Sequence, residues 1–197
     1  AFDQIRQGIC IPALNVKIVG SSAGLSDFGD GATHQSVEDI AIMRAIPNMT
    51  LLVPADGNET RKMVRTMAEY KGPVYLRINR HDMPDVCPDG QEFIIGRPYM
   101  LRDGKDIVIY ATGIMVAKAI EAADELQKTG VSARVVNVSS LKPVDEEEIR
   151  RLAEGMKGIV TAEEHSLIGG LASVISYALR GTGIPFSSIG INDRFGQ

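Results

Sequence analysis

The chain has 197 residues, 44% hydrophobic and 23% charged, with a net charge of −4, ordinary values for a globular protein long enough for one large or two small cores. No disorder signature appears, and without a lysine or arginine run neither a nucleic-acid partner nor a phosphate-backbone surface is expected. Cys10 and Cys87 are too few and too widely spaced for a disulfide framework or metal knuckle and are read as reduced thiols; no apolar run approaches the roughly 18 residues of a membrane span and no basic-then-apolar leader is visible, so a cytoplasmic protein without membrane contact is expected.

Short β-rich runs alternate with segments of helical period, the pattern of parallel sheets with crossover helices, so the fold class is α/β. Residues 16–20 read as a first strand. Val37, Ile40, Ala41, Arg44 and Ala45 then recur at helical spacing until Pro47 and Asn48 stop the helix. A strand at 50–53 is followed by a helix capped by Asp56, with Met63, Val64, Met67 and Ala68 on its apolar face; Gly72 and Pro73 end it before a strand at 74–78. These make a first unit over 1–85. Pro88, Gly90, Gly96, Pro98 and Gly104 break up short apolar pieces such as Phe93-Ile94-Ile95, and 86–104 is read as a linker with a small hairpin.

A second unit over 105–197 starts with a buried-type strand at 107–111. Gly113 opens a helix with Val116, Ala119, Ile120, Ala123 and Leu126 on one face, and 131–138 is the next strand. Pro143 and Asp145 begin a helix over 146–152, whose early acids suit the positive helix end. A strand at 158–162, a small-residue helix at 171–179 and a last strand at 186–191 complete the unit, and no internal repeat of 20–50 residues is visible. Glu163-Glu164-His165, followed by Gly169-Gly170, could bind metal or serve as acid and base, but a metal would need ligands from elsewhere. Gly113 and the glycine pair fall short of a dinucleotide fingerprint, so NAD is not expected.

The chemistry concentrates in Asp30-Gly31-Ala32-Thr33-His34-Gln35, which places a carboxylate, a hydroxyl and an imidazole within five residues at an expected loop-to-helix junction. Gly29 and Gly31 let the backbone turn tightly around Asp30. Such a loop can point short polar groups and first-turn N–H groups at one small ligand. The plain alternative is an N-capped helix with a solvated histidine, Thr33 serving as cap.

Together with 37–59 and 73–80, this loop resembles transketolase, specifically its thiamine-diphosphate pyrimidine-binding domain; the likeness continues more loosely through the second unit to Gln197. The resemblance implies two three-layer α/β units with mainly parallel sheets: a partial pyrimidine-binding domain truncated at its N-terminus, then a transketolase C-terminal-like domain. It implies transfer of a two-carbon ketol unit from a ketose to an aldose, with thiamine diphosphate as the electron sink. Asp30 would accept a hydrogen bond from a sugar hydroxyl, and His34 would donate to the carbonyl or C1-hydroxyl oxygen and shuttle a proton; Gln35 and Thr33 would hold the loop. Arg80 would hold the sugar phosphate through its planar fork, the alternative being a linker salt bridge with Asp82 or Asp85. Many transketolases carry a phosphate-contacting histidine eight residues before the motif aspartate. Ser22 stands there instead, able to give one neutral hydrogen bond.

The family's catalytic glutamate and the aromatic residues that cradle the aminopyrimidine ring lie upstream of a segment resembling Phe2-Asp3-Gln4-Ile5-Arg6. The chain is therefore expected to be a fragment of a longer subunit, inactive alone. Thiamine diphosphate and magnesium would be bound mainly by portions outside it, including a diphosphate-binding N-terminal transketolase subunit as partner. A homodimer through this chain and a sugar phosphate substrate are also implied, and Glu163-Glu164-His165 is expected to be structural, facing a partner subunit. Two further readings stay open. One is another thiamine enzyme, a 1-deoxyxylulose-5-phosphate synthase or a 2-oxo-acid dehydrogenase β subunit; the synthase usually carries Gly-x-Phe-Asp after the motif histidine, which Ser36-Val37-Glu38-Asp39 lacks. The other is a noncatalytic dimerisation or docking module.

Overall fold

The computed structural model describes residues 1–26 and 29–196; Gln197, where the second unit is expected to end, lies outside them. Two mainly parallel sheets carry helices on their faces, an α/β architecture. In the first sheet, β1 (Lys17–Gly20), β3 (Val74–Arg77) and β2 (Thr50–Leu52) run parallel in that order. The fourth strand, β7 (Ser140–Lys142), comes from the second half of the chain and pairs antiparallel with β2. The second sheet has the order β4 (Tyr99–Arg102), β6 (Ala133–Asn137), β5 (Ile107–Ala111), β8 (Gly158–Ser166), β9 (Phe186–Ile191), parallel except for the β4 edge.

Local chemistry accounts for most of the helices. Asp56 caps α3 (Gly57–Glu69), its Oδ1 accepting from the Glu59 amide at 2.7 Å, and the helix buries Met63 and Met67 while Val64 is exposed. Asp145 caps α5 (Glu146–Ala153) in the same way at 2.9 Å. Between them, α4 (Met115–Lys128) buries Val116, Ala119 and Ala123. A short helix α1 (Phe2–Ile5), continued by a wider π turn over Arg6–Cys10, is an element the periodicity did not indicate; Cys10 lies in the core with Ile5 and Ile9 packed against it.

The expected hairpin in 86–104 is absent: among the described residues this stretch pairs only through β4, with distant β6. Phe93 and Ile95 instead turn inward against Met63, Met67 and Leu76, so that burial of their apolar surface anchors this stretch to α3 and β3. The two sheets also share one core. Ile40, Leu51, Val53 and Tyr75 of the first half pack with Tyr110, Val136, Ile149, Leu171 and Ile175 of the second. Cys10 and Cys87 are both free and buried, and no helix of the described residues is long and apolar enough to cross a membrane.

Candidate functional site

Loops leaving the carboxyl ends of adjacent parallel strands carry the candidate residues. Ser22, Asp30 and His34 follow β1, and Arg80 follows β3. In open α/β sheets this end is where ligands gather. The two loops are tied at their bases: the Ala23 amide donates to the Ile78 carbonyl at 3.1 Å, and the Arg80 amide to Ser26 Oγ at 3.3 Å. Farther out, the Gly24 amide donates to the Ser36 carbonyl at 2.8 Å, closing the base of the Asp30–His34 excursion.

Asp30, His34 and Arg80 are exposed, and Ser22 is half-buried. Ser22 has φ +57°, a left-handed conformation costing a non-glycine residue about 1 kcal/mol or more. Residues Gly31–Thr33 form one 3-10 turn, and the following helix α2 (Asp39–Ala45) starts later than expected. Thr33 is therefore not its cap. Instead the Thr33 hydroxyl lies 3.0 Å from His34 Nδ1 and 3.4 Å from the Asp30 carbonyl. Gln35 is buried beside a cavity of about 430 Å³ that it lines with Leu25, Ile191, Arg194 and Phe195. Neither Asp30 nor His34 lines this cavity, and both stand open to solvent.

The expectation that first-turn amides of α2 face a ligand is overturned. The Ile40 and Ala41 amides donate to Nε2 of His165 at 3.1 and 3.4 Å, from the far half of the chain. Because Nε2 accepts, the proton sits on Nδ1, which faces the Ser166 carbonyl at 2.7 Å. Burial holds the imidazole below its usual range, the neutral state this geometry needs.

Strand β8 runs on beyond the expected 158–162 through residues 163–165. Glu163 is buried and caps α6 (Leu171–Ala178), its Oε2 and Oε1 accepting from the Leu171 and Ala172 amides at 2.6 and 2.8 Å. Burial outweighs these bonds and pushes its carboxyl up to about 7. Glu164 Oε1 accepts from the Leu25 amide at 2.9 Å, and its Oε2 from Asn79 Nδ2 at 2.9 Å. One carboxylate thus clamps both loops that carry the candidate residues. Its approach needs Gly24, where φ is +83° and a Cβ would stand 2.3 Å from Glu164 Oε2.

Beneath this clamp Arg77 Nε pairs with the Asp39 carboxylate at 3.0 Å, Tyr75 Oη donates to it at 2.9 Å, and Arg77 Nη2 donates to the Glu164 carbonyl at 3.0 Å. These buried charges are mutually satisfied, as burial requires. The Glu163-Glu164-His165 segment therefore packs on the first half of its own chain, which corrects the expectation that it faces a partner subunit. Sequence reasoning missed His165, Glu164, Arg77 and Asp39 as the frame of the site, because their contacts join residues far apart in the chain.

Among the described residues no group of three or more His, Cys, Asp or Glu side chains is placed to hold a metal ion. What the loops offer is a polar rim with a guanidinium beside it.

Comparison with known proteins covers the chain from end to end. A family model described as the transketolase pyrimidine-binding domain matches residues 1–85, and one described as the transketolase C-terminal domain matches residues 96–196. A subunit of an apulose-4-phosphate transketolase from Phocaeicola vulgatus is 41% identical over 194 residues, covering 98% of this chain and 62% of its own length. A 1-deoxy-D-xylulose-5-phosphate synthase from Desulfitobacterium hafniense is 37% identical over 186 residues, 93% of this chain and 29% of that protein. Among solved structures, a split-gene transketolase described as an inactive β4 tetramer superposes with a TM-score of 0.92 and 46% identity, covering 100% of this chain and 64% of that one. The chain thus spans less than two thirds of the length of the relatives it matches.

Proposed function

Since this chain belongs to the transketolase family, its residues 96–196 alone matching one of the two domain models, we propose that it is the carboxyl-terminal part of an enzyme moving a two-carbon ketol unit between a ketose and an aldose, phosphorylated sugars included. The observation that carries this reading is the convergence of the Ser22–His34 loop and Arg80 at one end of one sheet, tied together by backbone bonds and clamped by Glu164.

In this proposal Asp30 accepts a hydrogen bond from the sugar hydroxyl next to the reacting carbonyl, which reads the configuration there. His34 donates to the oxygen on which negative charge grows. Neutral imidazole can donate from Nε2 only if Nδ1 accepts, so in this proposal the single Thr33 hydroxyl proton turns from the Asp30 carbonyl at 3.4 Å to the nearer Nδ1 at 3.0 Å and selects the useful tautomer. Arg80 pairs its planar fork with the sugar phosphate, and Ser22 adds one neutral hydrogen bond. Thiamine diphosphate, when bound, supplies the electron sink; with its magnesium it is held mainly by portions of the enzyme outside this chain. The partner is an N-terminal subunit that carries the diphosphate site, and this chain joins a second copy of itself. The compartment is the cytoplasm, which suits two unpaired buried cysteines.

A second reading, a synthase of 1-deoxy-D-xylulose 5-phosphate, is favoured by the 37% identity to that relative. One experiment separates the two. The full-length subunit is mixed with its diphosphate-binding partner and assayed with ketose donors against pyruvate. Ketol transfer reduced by about 10²-fold or more in His34→Ala supports the first reading. Activity with pyruvate alone selects the second, and full activity in His34→Ala and Asp30→Asn removes both from this loop.

A further inference from the structure

A cavity of about 550 Å³ lies at the opposite end of α2 from the candidate site. Its walls are the last turn of α2 (Ala41, Arg44, Ala45), the end of β7 with the segment after it (Leu141 to Val144), and α6 with Gly169 (Ser173, Val174, Tyr177). The size suits a small metabolite rather than a water cluster.

Its charge is one-sided. Arg44 and Lys142 both line it and are both half-buried. Lys142 Nζ donates to the Arg44 and Ile46 carbonyls at 2.9 and 2.6 Å, so the ammonium meets the negative end of α2 but no carboxylate. No carboxylate, carbonyl or hydroxyl among the described residues takes a hydrogen bond from the Arg44 guanidinium. Glu146, the one acid on the lining, is already shared by Arg150 at 3.0 Å and Arg180 at 3.2 Å, the latter stacked on the Tyr177 ring at 4.1 Å. The buried Glu163 carboxyl feels Arg44 through space, but its two oxygens are spent on the amides of α6.

Two half-desolvated cations side by side repel each other, and burial lowers the proton affinity of both. An arginine fork on the lining of an open cavity, with no hydrogen-bonded acceptor of its own among the described residues, is available to pair with an oxyanion that enters. We propose that this cavity is a binding site for a small oxyanion, a phosphate ester whose phosphoryl group takes the Arg44 fork and the Lys142 charge while its body lies on Ala45, Leu141, Val144 and Val174. Ala41 lines the cavity and also gives its amide to His165, so a ligand here would press on the helix that follows the Asp30–His34 loop.

Inorganic phosphate is the probe. The full-length subunit, assembled with its partner, is titrated with phosphate against chloride at matched ionic strength by calorimetry. Saturable binding is expected to remain in Arg80→Ala, which removes the proposed sugar-phosphate site, and within that Arg80→Ala background to be weakened about tenfold or more by Arg44→Gln through the loss of a charge-assisted hydrogen bond. In the wild-type protein, phosphate should also shield Arg44 from phenylglyoxal, read by peptide mass spectrometry, a measurement independent of how any variant folds. Absence of saturable binding, binding lost only in Arg80→Ala, or Arg44 modified equally with and without phosphate overturns the proposal. A failure confined to Arg44 leaves the ketol-transfer reading untouched, since that reading is tested at His34 and Asp30.

Discussion

His165→Phe tests the joint between the two halves. Phenylalanine keeps the ring volume but removes the acceptor for the Ile40 and Ala41 amides and the donor to the Ser166 carbonyl. Loss of a cap costs about 1 kcal/mol, and a buried donor left unpaired adds about 1–3 kcal/mol, a total of about 2–4 kcal/mol. For a chain of this size each kcal/mol moves the melting temperature by about 2–4 °C, so calorimetry at pH 7.5 should show a fall of roughly 5–15 °C. The pH dependence gives a second reading. The folded state holds His165 neutral, below its ordinary value of 6.5. As pH falls below about 6.5 the unfolded chain takes up a proton that the folded chain does not, so the wild type loses stability and the variant has no such loss. The gap between them should therefore narrow from pH 7.5 to pH 5.5. A melting temperature within about 1 °C of wild type, or a gap that widens in acid, would refute the capping role.

Glu163 slopes the other way: the folded carboxyl keeps its proton up to about 7, the unfolded one releases it near 4.5, so its contribution to stability falls as pH rises between those values. Glu163→Gln should flatten that part of the stability curve, and an unchanged slope would assign it to another group. Gly170→Ala would set a Cβ 1.9 Å from Glu163 Oε2 and 2.8 Å from His165 Nδ1; a loss of about 1–3 kcal/mol is expected from urea midpoints at constant m. Thr33→Val should lower kcat of the assembled enzyme about tenfold by removing one orienting hydrogen bond, shift the pH profile and be rescued by Thr33→Ser, whereas a KM effect alone would contradict the tautomer argument. Calorimetric titration of residues 1–197 with thiamine diphosphate and magnesium should give no micromolar binding; a clear isotherm would show that these residues hold the cofactor unaided.

Local chemistry made much of this molecule legible in its sequence. Asp56 and Asp145 announce α3 and α5 because a cap acts within a few residues of itself, and the apolar run at 107–111 is a strand because a pleat buried between two parallel neighbours accommodates it. The Asp30–His34 motif is likewise visible, being contiguous. Tertiary structure alone decided what frames it. His165 reaches the α2 amides across a separation of 125 residues and Glu164 reaches the Leu25 amide across 139, and no periodicity encodes such distances. The same holds for β7, a three-residue strand too short to signal itself, which the first sheet recruits from the second half. The cluster Glu163-Glu164-His165 looks catalytic in one dimension because acids and imidazoles are the chemistry of active sites; folded, its members are spent on amides that the helix and loop ends would otherwise leave unpaired inside the protein.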